Sequence, residues 1–222
     1  MKPHESNLYI VGAGDLVREI IWLVRCLSSA WQIKGVLTDK SEQYGVDFGG
    51  VSVVGSHRDW KQFSNASFIV SVGSPDLKNR LIEEMKESGC PKFATLVHPS
   101  AQIGERVHIG KGSVITSNCV LTVDISIGEH TLINLASSVG HDVTIGNCCN
   151  ISPHSAISGN VTIGDNAVLG TSSVVVPGVA LGQGCFVGAG SVVTKNVREY
   201  TLVMGVPAKK IRALQPPNVC DS

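Results

Sequence analysis

A period of six residues runs through the second half of the chain and limits its fold more than any other feature. From Ile103 to Val193, every sixth residue is Ile, Leu or Val, without an insertion. The residue two places before each aliphatic is small or β-branched throughout. The aliphatic positions are Ile103, Ile109, Ile115, Leu121, Ile127, Ile133, Val139, Ile145, Ile151, Ile157, Ile163, Leu169, Val175, Leu181, Val187 and Val193.

Two inward side chains in every six residues indicate a short strand with alternating faces, followed by a turn. Every third residue of the second set is large, which adds a period of 18 and predicts three strands in each coil. Residues 98–195 then supply about five coils, stacked to about 25 Å. A β-sandwich would show strands and turns of varied length instead. Glycine follows the aliphatic at nine of these positions, and we expect corners with unusual backbone angles there.

The segment before the repeats has a different texture. Strands are predicted over 8–11, 31–37 and 68–73, and helices with apolar residues at helical spacing over 16–27 and 76–88. Alternation of strands and helices predicts an α/β domain with a parallel sheet of Rossmann type.

A glycine-rich turn joins the first strand to the first helix of this segment. Backbone N–H groups at Gly12 and Gly14 could bind a phosphate. Asp39, at the end of the second strand, could bind a ribose hydroxyl. Val17 occupies the third glycine position of a dinucleotide fingerprint, so binding of a complete dinucleotide is not expected. Binding of a nucleotide moiety and a purely structural turn both remain open.

Composition excludes several classes of protein. Lys and Arg number 18, as do Asp and Glu, so charge favours neither nucleic acid nor an anionic membrane as a partner. The sequence has no apolar run of 18 or more residues, so no transmembrane helix is predicted. The first residues include an acid and no apolar stretch, and the seven cysteines are an odd number. We therefore expect a cytoplasmic protein with free thiols.

His141 and Asp142 are conspicuous because they occupy outward or corner positions of the repeat. An adjacent carboxylate would fix the tautomer of the imidazole and raise its basicity. A solvent-exposed histidine without a catalytic role is the alternative. His108, His130 and His154 could suggest a zinc site, but the spacing places His130, His141 and His154 on different faces of a three-sided coil. No metal site is expected, because ligands of one metal must converge.

Three features together resemble one family. They are the glycine-rich βαβ segment, the coils with Ser-Ser-Val-Gly-His-Asp at 137–142, and the ending Gly-Val-Pro-Ala-Lys at 205–209. The chain resembles hexapeptide-repeat acyltransferases, in particular sialic-acid O-acetyltransferases and nucleotide amino-sugar N-acetyltransferases of the bacillosamine and perosamine type.

This resemblance implies a left-handed parallel β-helix over 98–195, a nucleotide-sugar-binding domain over 1–97 and a C-terminal extension over 196–222. It also implies a homotrimer that uses acetyl-CoA and no metal. His141 would be the general base and Asp142 its orienting carboxylate. The implied substrate-side residues are Gly12, Gly14, Asp39, Lys40, Gly73 and Asn134. The implied residues on the acetyl-CoA side are Asn150, Gly159, Thr171 and Ala189.

The sequence departs from the family in one loop and leaves the acceptor open. Relatives typically read Gly-x-Gly-Gly-His after the first strand, whereas this chain has Gly-Ala-Gly-Asp-Leu at 12–16. Acetyl transfer to a sugar amine is the primary hypothesis. O-acetylation, another acyl donor, a small amino-acid acceptor and an inactive scaffold are the alternatives. Transfer is expected to be direct, because no serine or cysteine with an adjacent base is evident.

Overall fold

The computed structural model describes residues 6–27 and 31–216. Its contacts divide the chain into two compact units, residues 1–99 and residues 100–222. Among the described residues, no helix is long and apolar enough to cross a membrane.

The first unit contains a parallel four-stranded sheet in the order β3-β2-β1-β4. Helix α1 follows β1, and helix α2 follows β4. The strands are β1 Ser6–Val11, β2 Trp31–Leu37, β3 Val53–Gly55, β4 Ser67–Val70 and the short β5 Leu96–Val97, the α-helices are α1 Leu16–Cys26 and α2 Pro75–Glu87, and the 3-10 segments are Ser41–Gln43 and His57–Phe63.

Aromatic side chains fill one side of this unit. The Trp60 and Phe68 rings meet edge to face at 5.8 Å, and Tyr9 lies 4.4 Å from Phe63. The indole N–H of Trp60 donates to the carbonyl oxygen of Met85 at 2.9 Å, which satisfies a buried donor and ties the segment of Trp60 to α2. This packing holds His57–Phe63 against α2 and so fixes the position of His57.

The second unit is a parallel β-helix. Sixteen strands, β6 to β21, pair in parallel with the strand 18 residues away and form three sheets. The six-stranded sheet contains β6 Gln102–Ile103, β9 Val120–Leu121, β12 Ser138–Val139, β15 Ala156–Ile157, β18 Val174–Val175 and β21 Val192–Val193. The five-stranded sheet contains β7 Val107–Ile109, β10 Ile125–Ile127, β13 Thr144–Ile145, β16 Thr162–Ile163 and β19 Ala180–Leu181. The third sheet contains β8 Val114–Ile115, β11 Leu132–Ile133, β14 Asn150–Ile151, β17 Val168–Leu169 and β20 Phe186–Val187.

The predicted inward positions form the interior of this unit. From Ile115 to Val193 the aliphatics of the six-residue period are buried, whereas Ile103, in the first coil, is 38% exposed. The small polar side chains between them bond to backbone. Ser113 Oγ donates to the carbonyl oxygen of Gly128 and Thr131 Oγ1 to that of Gly146, both at 2.7 Å. These two buried hydroxyl groups are therefore satisfied by backbone of the next coil.

The glycines that follow the aliphatic residues do not have the unusual backbone angles that the sequence led us to expect, so that prediction is wrong. Positive φ angles occur two residues later in the turn, as at Asp124 and Asp142. A Cβ at Gly146 or Gly164 would instead lie 2.6 Å from a backbone nitrogen of the next coil. These glycines are needed because adjacent coils approach too closely for a side chain.

The end of the second unit is a two-stranded antiparallel hairpin. It consists of β22 Thr201–Gly205 and β23 Ala208–Ala213. β22 extends the third sheet by pairing in parallel with β20. The Gly205 N–H donates to Ser191 Oγ at 3.0 Å, which fastens the hairpin turn to the last coil.

Candidate active site

The first unit contains a cavity of about 410 Å³ at the carboxyl ends of its strands. Its lining includes all five residues of the first unit that the sequence assigned to the substrate side: Gly12, Gly14, Asp39, Lys40 and Gly73. Parallel sheets place their ligand sites at this edge. The sheet thus brings together three segments that are distant in sequence.

Gly12 allows the strands to meet closely at this cavity. Its φ is +97°, and a Cβ there would lie 2.8 Å from a methyl carbon of Val72. Its N–H donates to the carbonyl oxygen of Leu37 at 2.8 Å. The turn that follows leads to the start of α1 at Leu16, where no side chain caps the helix and the helix dipole favours an anion.

Asp15 stands at the position where the loop departs from the family pattern. Its carboxylate lines the cavity and accepts a hydrogen bond from Arg18 at 2.9 Å. Both side chains are largely exposed, so this ion pair contributes little to stability. It does place a negative charge at the mouth of the cavity.

Sequence reasoning missed the buried pair of His57 and Glu84 beside the cavity. His57 lines the cavity and has a fully buried side chain, and its Nε2 lies 2.8 Å from Glu84 Oε2. Arg58 donates to the same oxygen at 3.0 Å. Burial acts to raise the pKa of Glu84, but the hydrogen bonds and charges of Arg58 and His57 outweigh it and lower the pKa. The partners are 27 positions apart in the sequence, and no local motif could have revealed the pair.

In the second unit, His141 and Asp142 lie in the turn between β12 and β13, and we call this edge the His141 corner. His141 Nδ1 lies 2.8 Å from Asp142 Oδ2. The side chains are 58% and 57% exposed. Asp142 has a φ of +57°, the conformation shared by the equivalent residue of neighbouring coils. Because the carboxylate accepts from Nδ1–H, Nε2 carries the lone pair that can accept a proton.

Gly159 lies one coil after His141, at the same corner. A Cβ at Gly159 would lie 2.5 Å from His141 Nε2, so only glycine leaves space for the ring. The neighbouring N–H of Asn160 donates to the His141 carbonyl oxygen at 2.9 Å. The backbone of Gly159 therefore lies beside the basic nitrogen.

The remaining predicted residues of the second unit lie elsewhere. Asn134, Thr171 and Ala189 occupy turns that lead from the third sheet into the six-stranded sheet, an edge that we call the Asn134 corner. Asn150 lies on β14. The Asn134 side-chain oxygen accepts the Leu135 N–H at 2.8 Å. The two corners are opposite edges of the six-stranded sheet, so one chain does not bring these residues to His141.

Metal-ligating side chains do not gather in the part of the chain that the structure describes: no group of three or more His, Cys, Asp or Glu could hold an ion there. His130, His141 and His154 lie at three different corners, as the spacing predicts. His130 is buried, whereas His141 and His154 are exposed.

Comparisons with known proteins agree with this architecture. A family model described as the hexapeptide repeat of succinyl-transferase matches residues 160–195. No curated protein sequence matches the chain closely.

Solved structures match nearly the whole chain. A histidine-to-asparagine variant of perosamine N-acetyltransferase from Caulobacter crescentus, in complex with CoA and GDP-perosamine, is 27% identical, with a TM-score of 0.85 over 92% of this chain and 96% of that one. The acetyltransferase domain of PglB from Neisseria gonorrhoeae, in complex with acetyl coenzyme A, is 27% identical, with a TM-score of 0.86 over 93% and 100%. WeeI from Acinetobacter baumannii is 25% identical, with a TM-score of 0.83 over 93% and 100%.

We conclude that the chain is an acetyltransferase. Its repeat and its fold are similar to those of hexapeptide-repeat enzymes. The repeat match and the three parallel sheets of this acetyltransferase fit a left-handed β-helix. The left-handedness is inferred from the likeness to these enzymes, because the general rule for connections between parallel strands would favour a right-handed coil.

Proposed function

We propose that the protein transfers an acetyl group from acetyl-CoA to the amino group of a nucleotide-linked amino sugar. The observation that carries this proposal is the contact of His141 Nδ1 with Asp142 at 2.8 Å on an exposed corner. It leaves Nε2 as a base, next to a backbone that has no side chain at Gly159. Structural neighbours of 27% identity that hold CoA with GDP-perosamine, or acetyl coenzyme A, support the two substrates.

The reaction follows from the orientation of the imidazole. Nε2 of His141 takes a proton from the sugar amine as the nitrogen attacks the thioester carbonyl carbon. Asp142 accepts the Nδ1–H bond and stabilises the imidazolium that forms. The carbonyl oxygen becomes an oxyanion, and we assign its stabilisation to a backbone N–H of the next coil at Gly159, beside His141. Collapse breaks the C–S bond, and the CoA thiolate takes the proton from the imidazolium.

The cavity of the first unit is proposed to bind the nucleotide. The turn from Gly12 to Gly14, with Lys40, offers N–H groups and a positive charge to phosphates, and Asp39 an acceptor to ribose hydroxyls. Gly73 would lie along the substrate on the opposite side of the turn. We also propose that this unit is a Rossmann-type domain, and the order of its parallel strands supports this assignment.

A homotrimer is part of the proposal. His141 and the Asn134 corner lie at opposite edges of one sheet, so their convergence on one acetyl-CoA requires the Asn134 corner of a second copy. Asn134, Asn150, Thr171 and Ala189 would then come from the neighbouring chain. Light scattering at micromolar concentration tests this directly, and a fully active monomer would contradict it.

Release of free thiol from acetyl-CoA tests the function. The full-length protein is assayed with UDP-, GDP- and CMP-linked sugars, each with and without a free amine. Thiol release that requires the amine supports N-acetylation. Release with hydroxyl-only sugars would indicate O-acetylation, and no release with any acceptor would indicate a scaffold or another acyl donor. A cytoplasmic location remains part of the proposal on the grounds of the cysteine count.

A further inference from the structure

The turns that precede His141 at the same corner hold a second set of charges. The Arg106 guanidinium donates two hydrogen bonds to the Asp124 carboxylate, and Nη2 lies 2.9 Å from Oδ2. Nη1 of Arg106 also donates to Glu105 Oε2 at 3.0 Å. Because 18 residues separate Arg106 and Asp124, this ion pair joins two neighbouring coils.

Asp124 lies one coil before Asp142, in an equivalent conformation. Their φ angles are +56° and +57°. The Asp142 N–H donates to the carbonyl oxygen of Val123 at 3.2 Å, and the Asp124 N–H to that of Glu105 at 3.1 Å. Stacked parallel strands are about 4.8 Å apart. Two carboxylates therefore stand at successive levels of one corner, and the upper one holds His141.

The electrostatics of the corner connect the two pairs. Hydrogen bonds from Arg106 hold the pKa of Asp124 below its usual range against a smaller opposing effect of burial, and the charges of Arg106 and His141 add to the lowering. Asp124 raises the pKa of Arg106, with a lesser contribution from Asp142. Asp124 is thus ionised at neutral pH, one coil before the turn that holds His141.

We propose that the Arg106–Asp124 ion pair is a positioning element for the His141–Asp142 pair, which rests on the role proposed above for His141. Arg106 neutralises Asp124, which would otherwise repel Asp142. Asp124 holds Arg106, which would otherwise compete with His141 for the Asp142 carboxylate. Within two coils of His141 on either side, the charged side chains of this corner are Glu105, Arg106, Asp124, Asp142 and, when protonated, His141; Lys195 lies three coils beyond it. The coil that follows contributes Gly159 and Asn160, which carry no charge.

Three variants of the full-length protein test this arrangement: Arg106→Gln, Asp124→Asn and the double variant. The ring of His141 is titrated by NMR, and kcat is measured across pH. Arg106→Gln should move the midpoint of the His141 titration to higher pH and Asp124→Asn should move it to lower pH, because the first removes a positive charge near the imidazolium and the second removes a negative one. The double variant should return close to the wild-type value, because it removes both charges together.

The chain offers a matched control at another corner. Lys111 and Glu129 form an ion pair at 3.3 Å between the same two coils, with side chains 58% and 42% exposed. The corresponding values for Arg106 and Asp124 are 60% and 40%. Lys111→Gln and Glu129→Gln should leave the titration of His141 unchanged. If the loss of any ion pair between coils affected His141, these control variants would shift its titration as much as the Arg106 and Asp124 variants do.

The outcomes separate this inference from the proposed function. Unchanged titration of His141 in both single variants, or a double variant that stays shifted, would overturn the positioning role. A titration that shifts as expected supports it, whether or not turnover follows. If turnover ignores a shifted His141, the role of His141 as general base is wrong instead. Melting temperatures within a few degrees of wild type establish that every variant is folded.

Discussion

The first unit packs large side chains around a sheet, whereas the second stacks small and aliphatic side chains in layers. The rings of Trp60, Phe68 and Tyr9 pack against one another in the first unit, which also has a cavity of about 410 Å³. The β-helix has an interior filled at every coil, with Ser, Thr, Cys and Val between its aliphatics. The cavity suits a ligand that must be enclosed. The β-helix has only its outer surface for chemistry, and its reactive pair stands on an exposed turn.

This difference teaches where substitutions are tolerated. A side chain on a β-helix corner can change without disturbing the layers beneath it, so His141 and Asp142 are separable from folding. In the first unit, the residues around the cavity also support the packing. His57 is both buried and part of the cavity wall.

Replacement of His141 is the strongest test of whether the His141 corner can change without an effect on folding. His141→Ala should lower kcat by about two to four orders of magnitude, the scale of a missing general base. The melting temperature should stay close to wild type because the side chain is exposed. His108→Ala, on an exposed position of β7, serves as the control. Turnover within a few-fold of wild type would remove His141 from the mechanism.

Gly159→Ala tests how closely the next coil frames the imidazole. The new Cβ would lie 2.5 Å from His141 Nε2, and the exposed ring should swing away and lose Asp142. We expect kcat to fall about 10- to 100-fold, since small misplacements of a catalytic group cost this much. Gly178→Ala, one coil later with no atom within 4 Å of its Cβ and a φ of +76°, should change stability by about 1 kcal/mol and spare activity. Full activity of Gly159→Ala would show that the ring is not confined.

Asp39→Ala tests the cavity as the nucleotide site. Loss of a charge-assisted hydrogen bond costs about 1.5–3 kcal/mol, so KM for the nucleotide sugar should rise about 10- to 100-fold. KM for acetyl-CoA should hardly change, because the thioester is assigned to the β-helix. Steady-state kinetics with each substrate varied measure both, and Asp59→Ala, exposed and outside the cavity lining, is the control. An equal effect on acetyl-CoA would refute the assignment.

Glu84→Gln measures how far the first unit depends on its buried pair. Loss of the charge weakens the bonds from His57 and Arg58, and we expect a decrease of about 1–3 kcal/mol in the free energy of unfolding at pH 7. Because the folded pKa of Glu84 is lowered, this stabilisation is present above the unfolded pKa of about 4.3 and disappears as pH falls through the folded pKa.

Urea unfolding at several pH values measures this difference between Glu84→Gln and wild type. The difference should narrow below about pH 4. Glu83→Gln, which removes the exposed pair with Lys86 on the same helix, should have little effect. A difference that is the same at pH 3 and pH 7 would contradict the role of the charge.

Elements with a strong periodic pattern were predictable, and short ones were not. β2 is found at Trp31–Leu37 as expected, and α1 at Leu16–Cys26 ends one residue before its expected end. β3, three residues long at Val53–Gly55, has no pattern of its own and was missed. Its pairing with β2 across the sheet, rather than local preference, makes it a strand.

The sequence by itself determined the coils, because few other folds can bury an aliphatic side chain at every sixth residue. It also placed His141 and Asp142 next to each other in one predicted turn, where their side chains could meet. Only the tertiary structure decided which groups meet across coils and strands: Gly159 with His141, Arg106 with Asp124, and His57 with Glu84. These contacts join residues 18 or 27 positions apart, and their geometry depends on stacking and helix packing that no local pattern encodes.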